Sequence, residues 1–309
     1  MKKFLFLFFI GLTQFSFAQT KVVSNDIKVN KFVEGTLVSP TSVNPSPLAI
    51  ILNDAGAIDR NGNERTQTND ATKKLAQSLA QKGIATFRYD KRIFKAEKLK
   101  LRERDFRFDS FVEDAVASIN YFKKKNKFSS IYIIGRGQGS LVGMLAAQEL
   151  ADGFISIGGV AKSIDQVIID QIKSQAPGLS EDAVRAFAEL KERGKVYHYN
   201  PALESMLRKD LQPFMASWMV YSPEEEIKKL DIPVLLLHGG KDLQASLNNF
   251  EQLKKAKPTA TNQLLEDMNY VLVNVNGQND MVNQKSYYRK DLAISPELIE
   301  TISGFIQEK

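Results

Sequence analysis

The run Ile131-Tyr132-Ile133-Ile134-Gly135-Arg136-Gly137-Gln138-Gly139-Ser140-Leu141-Val142-Gly143-Met144-Leu145-Ala146-Ala147 decides how the rest of the chain is read. An apolar, β-branched stretch stops at a cluster of glycines, and a stretch rich in Ala and Leu follows. That order predicts a buried strand, a tight turn and a helix. The apex of the turn falls on Gly137. No Gly-Lys-Ser/Thr closes the cluster, so it is not a phosphate loop.

Upstream, residues 21–39 alternate apolar and polar and predict two antiparallel edge strands. Leu48–Leu52 and Ile84–Phe87 are short and wholly or mostly apolar, as strands of a covered parallel sheet should be. A helix marked by Leu75 and Leu79 lies between them and stops at Gly83. Phe111, Ala115, Ile119 and Phe122 form the stripe of an amphipathic helix over Phe108–Phe122. Downstream, Gly153–Ile157 and Pro233–Leu237 are strands. The stretch from about 161 to 230 carries only helical patterns and predicts a helical cap inserted into the sheet domain. Asn248–Lys255 is then a helix, Asn262–Leu265 a strand and Pro296–Gln307 a closing helix. Strands alternating with helices predict an α/β fold with a mainly parallel sheet.

A chain of 309 residues, 43% hydrophobic, is long enough for one such domain with an insertion. Its start, Met1-Lys2-Lys3, an apolar run to Leu12, and Ser16-Phe17-Ala18 before Gln19, predicts a signal peptide over 1–18 and a mature domain over 19–309. The apolar run is too short for a membrane span; an uncleaved anchor is the alternative. The expected address is periplasmic or secreted. With no cysteine there are no disulfides, thiolate chemistry or Cys-based zinc sites. The formal charge of +6 falls by two, to +4, once Lys2 and Lys3 leave with the leader. The densest basic segment, Lys91–Arg107, is diluted by Glu97, Glu103 and Asp105 and has no aromatic ladder. It predicts a solvated surface and no nucleic-acid partner.

Five motifs, taken in order, resemble those of α/β-hydrolases over most of residues 21–309, and most of all the exported serine aminopeptidase and acyl-esterase group. They are Asp59-Arg60-Asn61-Gly62-Asn63, Arg88-Tyr89-Asp90-Lys91-Arg92, the Gly135–Gly139 turn, His238-Gly239-Gly240-Lys241-Asp242, and Asp267-Met268-Asn269-Tyr270-Val271. The resemblance implies an α/β-hydrolase fold with an inserted cap and a Ser-Asp-His triad in that chain order. Its acid falls on Asp242, its histidine on Tyr270 and its nucleophile on Gly137. It also implies a Gly-Ser-Gly-Pro-type oxyanion loop, where this chain has Asp54-Ala55-Gly56-Ala57-Ile58.

Glycine has no group to attack a carbonyl. Tyrosine, with a pKa near 10, is ionised at roughly one part in a thousand at pH 7 and is no base for a serine. Its hydroxyl is expected to donate to Asp242 instead. Glycine also relieves the strain of the apex. Ser140, on the first helical turn, is a packing or capping residue rather than a nucleophile. His238 sits at a strand end as a structural residue, and His198 belongs to the cap. No metal ligand set and no cofactor motif is present. The backbone N–H groups of Gln138 and Ala55 are expected to leave an anion site at a helix N-terminus. Phe214, Trp218 and Met219 are expected in the cap, as roof or core, and Asp59, Arg60, Asp90 and Arg92 in loop-holding hydrogen bonds.

Three functions follow. The first is a catalytically degenerate hydrolase that binds a small acyl or carboxylate ligand under its cap. The second is an active ester, thioester or peptide hydrolase with a non-standard arrangement. The third is an interaction protein with a vestigial pocket.

Overall fold

The computed structural model describes residues 21–277 and 279–308. The leader predicted over 1–18 lies outside them. Eight strands form one sheet in the order β1-β2-β4-β3-β5-β6-β7-β8. β1 (Val22–Lys28) and β2 (Glu34–Pro40) pair antiparallel at one edge, and β2 runs antiparallel to β4 (Ala85–Tyr89). From β4 onward every pairing is parallel, through β3 (Ser46–Leu52), β5 (Phe128–Arg136), β6 (Gly153–Ile157), β7 (Val234–Lys241) and β8 (Thr261–Asn269).

Helices cover both faces, which is why the central strands are apolar on both sides. One face carries α2 (Asp109–Lys125), α3 (Gln138–Ala147), α8 (Pro223–Lys228) and α9 (Leu247–Ala256) around Phe87, Ile119, Ile133 and Phe154. The other carries α1 (Ala71–Gln81) and α11 (Pro296–Gln307) around Leu75, Ile134, Leu235 and Ile302. Between β6 and β7 lie α4 (Ile164–Gln175), α5 (Ser180–Arg193), α6 (Glu204–Leu207), α7 (Gln212–Trp218) and α8. The first four have a core of their own, with Ile172, Phe187, Leu190 and Met215 at its centre. Met219 is buried in that core.

The structure departs from the sequence reading in three elements. β8 runs four residues beyond Leu265, because it is an edge strand and tolerates the exposed Glu266 and Asp267. α10 (Asp280–Ser286) was not expected; the Asn279 side chain caps it by accepting from Met281 N and Val282 N. The basic segment is not wholly solvated. Arg92 is buried in a two-bonded pair with Asp114 on α2, at 2.8 and 2.8 Å, and Lys91 turns inward.

Candidate active site

The site sits where β5 gives way to α3. Gly137 holds φ 49°, ψ −117°, a backbone conformation that costs a side-chain-bearing residue about 1–3 kcal/mol. Its N–H donates to Ile157 O at 3.2 Å, which fixes the turn against β6. Gly139 is required for a different reason: a Cβ there would run into the Leu52 and Asn53 carbonyls at the end of β3.

The space beside Gly137 is not empty. A Cβ on Gly137 would overlap the carboxyl carbon and both carboxylate oxygens of Asp54. Asp54 follows β3 by two residues, and its side chain lies where a nucleophile on the apex would lie. Oδ1 accepts from the backbone N–H of Ala55 and of Gln138, each at 2.6 Å. Oδ2 accepts from the Tyr270 hydroxyl at 3.1 Å. The N–H groups of Ala55 and Gln138 thus converge on one oxygen, and that oxygen belongs to the protein itself.

Tyr270 does not reach Asp242. Its partner is Asp54, a correction to the expected pairing. The carboxylate nearest its hydroxyl is the one on the β3 loop, while Asp242 Oδ1 is occupied by Gln244 N at 2.7 Å and Ala245 N at 3.0 Å. Burial, with the Asp54 charge adding to it, raises the Tyr270 phenol well above its usual value. The Arg136 guanidinium lies 5.7 Å from the Tyr270 ring centre and donates to its carbonyl at 2.8 Å. Asn269 anchors the segment, accepting from Val271 N and Val273 N and donating to Asn283 and Ser286 on α10.

Asp242 is held at the end of β7. Burial raises its carboxyl above the usual value, and the two N–H donors oppose that shift. Gly137, Tyr270 and Asp242 all line one cavity of about 70 Å³, together with Asp54, Arg136 and Gln244. His238 is buried against Phe250, ring centres 5.7 Å apart, and burial lowers its imidazole pKa. Among the described residues its Nδ1 has no hydrogen-bond partner. Ser140 is buried and bonds Ser156 Oγ at 2.7 Å, and His198 is exposed on the cap. Among the described residues no cluster of His, Cys, Asp and Glu is arranged to hold a metal.

Lys91 completes the floor, and charge counting on the basic segment did not single it out. Its ammonium donates to the carbonyls of Asp54 and Gly56 and, at 3.2 Å, to Gln138 Oε1. Burial lowers its pKa to about 8, against the opposing pull of Asp54. Arg60 pairs with Asp90 at 2.9 and 2.6 Å, and Asp59 accepts from Asn61 N and Asn63 N, which holds the loops that carry Asp54 and Lys91.

Two mainly apolar clefts open over this floor, under the cap. One, of about 160 Å³, has Asp54, Gly137 and Leu141 below and Val160, Ile164 and Val167 beside it. The other, of about 260 Å³, has Lys91 below and Phe106, Phe111, Phe214 and Leu211 around it. Trp218 stands between them and lines both.

Residues 65–267 match the family model described as serine aminopeptidase, S33. The chain belongs to this family of α/β-hydrolases. Esterase EstD of Thermotoga maritima is 26% identical over 296 residues, 91% of this chain and 66% of its own length. The S33-family chain therefore spans about two thirds of the length of that curated relative. Est1E from Butyrivibrio proteoclasticus shares the fold at a TM-score of 0.54 and 17% identity, covering 85% of this chain and 96% of its own. TT1662 from Thermus thermophilus shares it at 0.53 and 12%, covering 93% and 98%. In this S33-family chain the β5–α3 turn, the β7 strand with Asp242 after it and the helices between β6 and β7 are in place, and the apex Gly137 carries no side chain.

Proposed function

We propose that this protein is an exported member of the S33 esterase-like lineage that has lost Ser-His-Asp chemistry and binds an acyl or carboxylate ligand under its cap. One observation carries the reading: the Asp54 carboxylate fills both the space of a nucleophile and the pair of N–H donors that would hold an acyl oxyanion. An ester carbonyl has neither an attacking hydroxyl nor a free oxyanion site here. The clefts remain, and their apolar walls suit an acyl chain. A ligand carboxylate is directed to Lys91, where it would displace the long 3.5 Å bond to the Gly56 carbonyl, because the other anion position is occupied.

The test pairs catalysis with binding. Wild type is expected to be near-silent on a panel of activated short-chain esters. The Gly137→Ser/Tyr270→His variant is expected to stay near-silent, because Asp54 blocks the new serine. Adding Asp54→Gly is expected to raise the rate by orders of magnitude. Removing a working triad costs about a millionfold and leaves about 10³–10⁴ over water, so a trace of activity decides nothing. Trp218 is the single tryptophan of the chain, so its fluorescence reports occupancy of both clefts. Fast wild-type turnover with labelling by a serine-directed probe would overturn the reading, as would a fluorescence signal unmoved by any acyl or carboxylate compound.

A further inference from the structure

The positions at which this chain departs from the triad pattern touch one another. Asp54 stands where the oxyanion loop pattern has its first glycine, and Gly137 stands where it has the nucleophile. The side chain lost at one position is regained at the other, in the same space. Tyr270, at the histidine position, donates to the regained carboxylate. A mere loss of catalysis would leave a void beside Gly137. The structure instead holds a carboxylate there, with one oxygen fixed by two N–H groups and the other, among the described residues, bonded only to a neutral hydroxyl.

Asp54 also faces two different environments. On one side is the 160 Å³ apolar cleft, closed by Trp218. On the other is the 70 Å³ cavity, mixed in its lining, with Asp242, Arg136 and Tyr270 among its walls and room enough for water. A nucleophile needs a path to substrate and a path to water, and Asp54 has both.

We propose that Asp54 is a carboxylate nucleophile for small apolar molecules with an activated sp³ carbon, the epoxide class in particular. This goes beyond the binding reading and rests on the same capped clefts. A carboxylate is too weak a base to expel an alkoxide from an ester, so simple esters are not its substrates. Opening a strained ring supplies the missing drive. In the first step an Asp54 oxygen bonds to one epoxide carbon, and the ring C–O bond breaks. The resulting alkoxide takes the Tyr270 proton, leaving a phenolate. In the second step the phenolate takes a proton from water in the 70 Å³ cavity, and the hydroxide adds to the Asp54 carboxyl carbon. The oxyanion forms on Oδ1, between Ala55 N and Gln138 N. Collapse breaks the ester bond, the added hydroxyl gives its proton to the departing alkoxide, and diol and carboxylate are released. The net reaction is epoxide plus water to diol, with Asp54 and Tyr270 regenerated.

The decisive experiment uses the full chain in excess over styrene oxide, in water enriched in heavy oxygen. One turnover is expected to place heavy oxygen in the Asp54 carboxylate, located by peptide mass mapping, and to yield the diol. Asp54→Asn is expected to lose diol formation and labelling, and Tyr270→Phe to slow ring opening by about a hundredfold or more. An epoxide adduct on Lys91, a diol formed with no label at Asp54, or no consumption of epoxide would each overturn the proposal. The unreactive 1-phenylethanol, titrated against Trp218 fluorescence, separates the two readings. Binding without epoxide chemistry sinks the nucleophile and keeps the pocket; absence of both sinks the nucleophile, and the acyl and carboxylate titration alone decides the binding reading.

Discussion

At the scale of single residues, Gly137 and Asp54 are two halves of one decision. Gly137→Ala is expected to cost about 1–3 kcal/mol for its positive φ, and a similar amount for the overlap with the Asp54 carboxylate. Asp54→Gly removes the overlap but strands the Ala55 and Gln138 N–H groups. The double variant should therefore be less destabilised than the two single costs added together, with a coupling of about 1–3 kcal/mol in urea melts. Strictly additive costs would mean that Asp54 does not fill the apex. From the sequence, Gly137 and Tyr270 were legible as departures, and so was the odd loop at Asp54. Their meeting was not, because Asp54 and Gln138 are 84 positions apart and only the course of the β3 loop brings them together. The same blind spot assigned the Tyr270 hydroxyl to Asp242: chain order places both residues at the site but says nothing of which carboxylate is nearer.

At the scale of elements, apolar periodicity carried the sheet. β6 and α11 begin and end at the residues where the sequence pattern placed them. Polar segments were less legible, because their signals are positional rather than periodic: the Asn279 cap of α10 and the inward turn of Lys91 after β4 both belong to this class. Lys91 supplies a test at this scale. Burial disfavours its charged form, so the folded protein binds that proton more weakly than the unfolded chain does. Its contribution to stability is therefore least favourable below pH 8, and it improves as pH rises from about 8 toward the free-lysine range. Trace acylation against pH is expected to show Lys91 with a midpoint near 8, well below the free-lysine value of about 10.4. A Lys91 midpoint equal to that of the exposed lysines would show that its amine is hydrated, and would remove the anion-receiving role assigned to it.

At the scale of the whole molecule, the cap and the sheet domain have separate cores joined through few side chains. Phe214 and Trp218 pack against both cores. Trp218 stacks on Phe108 at 5.4 Å with the rings 5° from parallel, and Phe214 meets Phe111 at 5.6 Å. A polar tie, Phe108 N to Ser217 Oγ at 2.8 Å, runs beside them. A unit with its own core and a narrow joint opens below the global unfolding energy, and here such opening would admit ligand to both clefts, since Trp218 is their shared wall. Trp218→Ala should therefore raise amide exchange across α4, α5 and α7 by about tenfold or more, corresponding to a joint loosened by at least about 1.4 kcal/mol. Strands β3, β5, β6 and β7 should keep their protection, because their core residues lie in the sheet clusters and not in the cap. Parallel loss of protection in cap and strands would show one cooperative unit, and ligand entry would then require a route other than cap opening.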